Sequence, residues 1–266
     1  MKSIKSLILP IGFIITVLSL AAFMSEGMIA TKKVTSKVDG KGFAVIELFT
    51  SEGCSSCPPA GELLAKLQQE AQGKPVYILA YHVDYWNSLG WKDIFSNADY
   101  SKRQKQYGNW LTAQIYTPQV IVNGKAEFVG SDEPAIRNAI SEQLTAKSAA
   151  TLTLQAHQDG EKLQVQYQSA GAARGSKLLI NIVQKIAQSN VDRGENAGRS
   201  LTHVQIVRNL QTESLNATGT GSATIVLPKG FNNKNWEILG LIQDQSNGEI
   251  SAAAKADLND HLTTGK

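Results

Sequence analysis

The stretch Phe43-Ala44-Val45-Ile46-Glu47-Leu48-Phe49-Thr50-Ser51-Glu52-Gly53-Cys54-Ser55-Ser56-Cys57-Pro58-Pro59 decides how the rest of the chain is read. Ala44 to Phe49 is a mostly apolar run, as a central strand buried on both faces would be. The two cysteines that follow are the only ones in 266 residues. Pro58 and Pro59 suit the first turn of a helix, where a missing N–H costs little. From Pro58 to Gln72, Leu63, Leu64, Leu67 and Ala71 share one helical face, and Gly73 is a stop. A Cys-x-x-Cys pair at the head of such a helix can close a small disulfide. Backbone N–H groups at the positive helix end would favour the Cys54 thiolate, the form that attacks disulfides.

Downstream, Val76 to Val83 is a second apolar strand, so the opening unit is βαβ with two parallel strands. Asp84 to Trp110 is rich in aromatics, and its middle, from about Ala98 to Tyr107, reads as a polar, basic helix. Thr117 to Val122 is a strand entering a hairpin at Asn123-Gly124, the strongest short hairpin signal, with Ala126 to Val129 returning. Asp132 and Pro134 open a last helix carrying Ile136, Ile140 and Leu144.

At about residue 150 the texture changes. Leu152, Leu154 and Ala156 alternate with polar residues, as do Leu163, Val165 and Tyr167 after an Asp159-Gly160 turn. Further strand-like runs lie at 178–184, 201–208, 223–227, 236–243 and 250–254. About seven short strands separated by turn residues imply an antiparallel sandwich. The expected fold class is α/β: a first domain over 43–147, then an all-β antiparallel sandwich domain over 151–258.

The first thirty residues read as a targeting segment. Lys2 and Lys5 precede an apolar run from Leu7 to Phe23, with Ala30 as a cleavage position. An uncleaved membrane anchor is the alternative, because the run is long. Residues 31–42 are a polar linker. Either alternative exports the chain, to the periplasm or another extracytoplasmic site where disulfides persist. A net charge of +3 and 18% charged residues supply no basis for nucleic-acid binding.

The order of elements, with Tyr116-Thr117-Pro118-Gln119-Val120 and the stretch Val122 to Asp132, resembles the thioredoxin and glutaredoxin fold. Leu48 to Pro59, His82-Val83-Asp84-Tyr85-Trp86 and Tyr116 to Gln119 together resemble a family of exported bacterial proteins with a domain of unknown function. The resemblance implies a cis Pro118 beside the cysteines, with the Thr117 backbone presented to an extended partner. It implies Cys54 as nucleophile and Cys57 as the residue that resolves the mixed disulfide. Gly53 and Ser55-Ser56 depart from the thioredoxin pattern of a preceding aromatic and an intervening Gly-Pro, so no redox poise carries over.

Several other residues are open to more than one reading. Ser55 and Ser56 could donate to the Cys54 sulfur, and Glu52 would oppose a thiolate. His82 is either a half-buried histidine beside a helix start capped by Asp84, or a proton-transfer partner of Cys57. With Cys54 and Cys57 it could also hold copper(I) or zinc. Tyr85, Trp86, Trp91 and Trp110 read as packing rather than a substrate groove, and Lys102, Arg103 and Lys105 as a solvated face. The loop Asp192 to Arg199 is either a solvated hairpin or a cover for the cysteines; His157, His203 and His261 have no assigned part. The expected function is thiol–disulfide exchange with protein or small-molecule thiol and disulfide partners and no organic cofactor. Metal handling is a second expectation. A non-catalytic binding module is a third, favoured if Cys54 is buried in a persistent disulfide.

Overall fold

The computed structural model describes residues 42–259. The expected targeting segment, all but the last residue of the expected linker and His261 lie outside them. The first half follows the βαβ reading: β1 (Ala44–Thr50), α1 (Pro58–Glu70) and β2 (Val76–His82), then a short 3-10 turn (Tyr85–Leu89) and α2 (Ala98–Leu111). Next come the β3 (Gln119–Val122) and β4 (Ala126–Val129) hairpin and α3 (Glu133–Thr145). Asn123 and Gly124 both have positive φ, 48° and 68°, which the tight hairpin requires. The helix starts are set by local chemistry: Asn97 accepts from the Asp99 N–H at 2.9 Å and Asp132 from that of Ala135 at 3.1 Å.

The second half holds β5 (Thr151–Asp159), β6 (Lys162–Ala170), β7 (Lys177–Val191), β8 (Arg199–Ser214), β9 (Thr220–Val226), β10 (Trp236–Gln243), β11 (Ile250–Lys255) and β12 (Asp257–Asn259). These strands do not form a sheet system of their own. The order β11-β10-β7-β8-β2-β1-β3-β4 makes one eight-stranded sheet, in which β8 lies parallel to β2 through the Ala80–Ile206 pair. The other four make a separate sheet, β12-β5-β6-β9. The expected boundary at 147–151 is therefore not a break in the main sheet, and the architecture is mixed α/β with two sheets. The reason lies in β7 and β8, which are 15 and 16 residues long. Such a ribbon outruns the smaller sheet and reaches the edge that β2 would otherwise expose.

Three cores follow from strand alternation. On one face of the main sheet, Val45, Phe49, Leu79 and Tyr81 pack with Tyr100 and Tyr107 of α2 and with Leu179, Val183, Val207 and Leu241 of the second half. Ala44, Ile46 and Leu48 instead meet Leu63, Leu64 and Leu67 of α1 and Ile136 of α3. A third core lies between the small sheet and β7, β10 and β11, built on Leu154, Val165, Ile180, Ile225 and Ile238.

Arg103 corrects one expectation. It is buried, not solvated, because Glu47 of β1 points to the same face and must be compensated. The Arg103 guanidinium reaches Glu47 at 2.6 Å, donates to Gln243 of β10 at 3.0 Å and stacks over Tyr107, 5.0 Å from its centroid. Tyr107 in turn donates to Glu47. The network ties α2, β1 and β10 together. Glu47→Gln leaves the Arg103 charge without its partner, and the expected loss is about 3–5 kcal/mol of unfolding free energy in a denaturant titration. A loss within about 0.5 kcal/mol would show that the pair does not anchor this network.

Candidate functional site

Cys54 and Cys57 are joined in a disulfide, with their Cα atoms 5.4 Å apart, in the turn between β1 and α1. Local backbone bonds shape this turn: Cys54 N–H donates to Ser51 O and Cys57 N–H to Cys54 O, both at 3.2 Å. The expected free N–H groups at the head of α1 are not there. Pro58 and Pro59 occupy its first two positions and have none. The next two N–H groups, of Ala60 and Gly61, are spent on Cys57 O at 3.0 and 3.2 Å. Ser56 supplies the nearby polar contact instead: its Oγ lies 3.4 Å from Cys54 Sγ and 3.5 Å from Thr117 O. The Thr117–Pro118 peptide is cis. Trp86 Nε1 donates to Thr117 Oγ1 at 2.8 Å, which ties the two loops together.

Both sulfur-bearing residues are buried, Cys54 at 0% and Cys57 at 3% exposure, while Ser55 and Ser56 are exposed. The cover comes from the tip of the β7–β8 hairpin, residues 192–198. Asn196, 1% exposed, donates at 2.9 Å to both Glu52 O and Cys54 O. Glu195 accepts from Ser55 N–H at 3.1 Å, and contact with Ser55 holds its carboxyl below the usual range. Gly194 has φ +79°, a backbone conformation that strains any other residue, and a Cβ there would meet Trp91 Cβ at a tight 3.2 Å. The charged, glycine-rich loop thus covers the cysteine turn through Asn196 and Glu195, while its residues other than Asn196 stay exposed to solvent.

Behind the disulfide lies a buried charged group. His82, 1% exposed, faces Asp93 through Nδ1 at 2.7 Å, and its Nε2 has no hydrogen-bond partner among the described residues. Asp93 Oδ2 also accepts the Glu52 N–H at 2.8 Å. Burial raises the Asp93 pKa, but His82 and backbone N–H groups more than offset this, so it stays below the ordinary value. Glu52 behaves alike: burial opposes its charge, while His203, Ser189 and the Trp91 indole, donating at 2.7 Å, hold its pKa down. Glu52 Oε1 faces His203 Nε2 at 3.3 Å, an ion-pair distance without an aligned hydrogen bond. The His82 and His203 rings lie edge to face, 5.0 Å apart.

A cavity of about 280 Å³ opens beside this group, between α1 and the first residues of β8. Cys57, His82 and His203 line it, with Arg199, Thr202 and Glu62. Cys54 is not among its lining residues.

The structure thus brings Cys54, Cys57, Ser55, Ser56, Thr117, Pro118 and His82 to one end of the main sheet. Asp84 departs from its expected capping role: its carboxylate accepts from Ser101 Oγ of α2 at 2.5 Å, so it anchors that helix. His82 is fully buried, where a half-buried residue was expected. Trp110 packs on Tyr107, whereas Tyr85, which donates to Gln104 at 3.1 Å, is exposed at 39%. Among the described residues, no group of three or more His, Cys, Asp or Glu side chains is arranged to hold a metal ion. Sequence reasoning missed Asp93, assigned His203 no part, and named the loop that holds Asn196 as a possible cover without singling out that residue. Asp93 lies 11 residues past His82 in an irregular segment, and His203 and Asn196 arrive from about 140 residues beyond the cysteines, so no local spacing marks them.

A family described as a protein of unknown function (DUF1223) matches residues 45–243. Among curated protein sequences, none matches. Among solved structures, the crystal structure of a protein from Agrobacterium tumefaciens is similar at 26% identity, over 84% of this chain and 96% of that one, with a TM-score of 0.59. A domain of the outer membrane lipoprotein Omp28 from Porphyromonas gingivalis is 14% identical over 43% of this chain and 91% of that one. Its TM-score of 0.28 is too low to inform the fold. The matched span runs from β1 to the end of β10 and takes in the disulfide, the His82–Asp93 pair and the hairpin tip, so the chain belongs to the DUF1223 family.

Proposed function

We propose that the chain is an exported thiol–disulfide oxidoreductase, with Cys54 and Cys57 as its redox couple and a thioredoxin-like first half as its frame. One observation carries this reading. The disulfide closes a loop of only three residues' separation after the carboxyl end of β1; Ser56 within that loop reaches the Thr117 carbonyl, and Cys57 lines the same cavity as the buried His82. So short a loop constrains the unfolded chain little, so stability alone is a weak reason for the bond. Open α/β sheets place their chemistry at this end of the strands.

The reaction needs no organic cofactor. A partner thiolate attacks one sulfur of the disulfide, forms a mixed disulfide and releases the other sulfur as a thiolate. A second partner thiol then attacks the mixed disulfide. The net change is one protein disulfide and two thiols to one protein dithiol and one partner disulfide, and it runs in reverse with an oxidising partner. His82 is positioned by Asp93 to exchange a proton with a departing sulfur.

A second reading has an observation of its own. Both cysteines are buried and Cys54 lies under the hairpin tip, as in a binding module whose disulfide is permanent. The two readings separate in one assay, turnover of a chromogenic aromatic disulfide with a small thiol as electron source. The redox reading expects Cys54→Ser and Cys57→Ser each to lower turnover by about a hundredfold or more, with the fold retained by circular dichroism. Variants that match wild type would remove it.

The cover itself is testable. Asn196→Ala removes the two hydrogen bonds that seat the tip on the cysteine turn, each worth about 0.5–1.5 kcal/mol, and should speed reduction of the disulfide by dithiothreitol by about fivefold to a hundredfold. A disulfide that resists reduction in both the wild type and this variant supports the permanent bond instead.

A further inference from the structure

The two buried cysteines differ in what lies against them. The hairpin tip seals the Cys54 side through Asn196 and Glu195, while Cys57 lines the 280 Å³ cavity between α1 and β8. We propose that this cavity is the binding pocket for a small zwitterionic thiol of the amino-acid type, and that Cys57, not Cys54, is the sulfur it attacks. The inference rests on the thiol–disulfide reading and names its substrate class.

Size and charge both bear on the ligand. The volume suits a molecule of amino-acid or short-peptide size, just below the usual range of roughly 300–1,000 Å³ for small-molecule pockets, and is far too small for a folded partner. The exposed rim carries one side chain of each sign, Arg199 and Glu62. A carboxylate can pair with the first and an ammonium with the second, so a zwitterion matches where a singly charged thiol leaves one rim charge unmatched. Arg199 is held in place by donating to Asn196 Oδ1 at 3.0 Å, so the rim and the cover share a residue. Deeper in, His82 lines the same cavity with its Nδ1 turned to Asp93 and its Nε2 unpartnered. A buried ring nitrogen without a partner is costly unless something binds it, and an incoming thiol brings the proton it can take.

The step balances. The thiol passes its proton to His82 Nε2, and its sulfur bonds to Cys57 Sγ as the Cys54–Cys57 bond breaks. Cys54 leaves as a thiolate, with the Ser56 hydroxyl 3.4 Å away to donate to it. A second thiol attacks the mixed disulfide and leaves as the free disulfide. Its proton and the one on His82 end on Cys57 and Cys54.

The test uses the full-length oxidised protein and free cysteine. After brief exposure to limiting cysteine and an acid quench, fragment-ion mapping locates the cysteinyl adduct, which is expected on Cys57 over Cys54 by about tenfold. Thr202→Trp, which fills the cavity, should slow reduction by cysteine by about tenfold. Arg199→Ala should shrink the rate preference for cysteine over uncharged 2-mercaptoethanol by about threefold or more. An adduct mainly on Cys54, or a Thr202→Trp protein reduced at the wild-type rate, overturns the inference while leaving the redox reading standing. A native disulfide that no thiol reduces removes both.

Discussion

The placement of β8 beside β2 is the constraint on which the site depends. The contact is slight in itself, one parallel pair at Ala80 and Ile206, but it fixes the direction of a sixteen-residue strand. Upstream of that pair, Arg199 to Val204 run past α1 and form one wall of the cavity. Continuing back, the hairpin tip reaches the β1–α1 turn and lays Asn196 on Cys54 O. Downstream, Val207 enters the core shared with Tyr81 and Tyr100. A shift of one residue in this pairing would turn every β8 side chain to the opposite face. His203 would then leave Glu52, and the cavity would lose that wall.

The buried charges are consistent with such a fixed register. Glu52 and Asp93 both sit where water is excluded, and an uncompensated carboxylate there would cost several kcal/mol. Each is held by groups from distant parts of the chain: Trp91 and His203 for Glu52, His82 and the Glu52 N–H for Asp93. Their pKa values fall below the ordinary ones in spite of burial. The carboxylates therefore stabilise the fold above the unfolded-state carboxylate range, and that contribution fades as pH drops through their lowered values. Through the Glu52–His203 contact this buried group is one of the links between the second half of the chain and the first.

Much of the first half was legible because its signals are local. The apolar run at β1, the prolines at the head of α1 and Asn123-Gly124 each act within a few residues, and each marks its element. The second half was legible as strands, since alternation such as Leu152, Leu154 and Ala156 reports a buried face directly. Which sheet a strand joins was not legible, because alternation looks alike whether the neighbour is β2 or another C-terminal strand. Arg103 failed for a related reason. In a polar helix its charge reads as solvated, and only the facing Glu47 from 56 residues upstream makes burial the favoured state. The loop 192–199 shows the same limit, since charge and glycine describe a surface turn equally well until Asn196 is seen between two carbonyls.

The disulfide's surroundings also separate this site from the pattern its motif suggests. A Cys-x-x-Cys pair at a helix head ordinarily draws thiolate stabilisation from free backbone N–H groups. Here Pro58 and Pro59 remove two of them, and Cys57 O takes the next two. What remains near the sulfurs is a hydroxyl on one side and a histidine-lined cavity on the other. Reactivity in such a setting depends less on a preformed thiolate than on which sulfur can be reached and where its proton goes. In the proposed redox reading, both are set by residues of the β8 wall and the His82–Asp93 pair. The chemistry proposed for the motif thus rests on side chains that the motif does not contain.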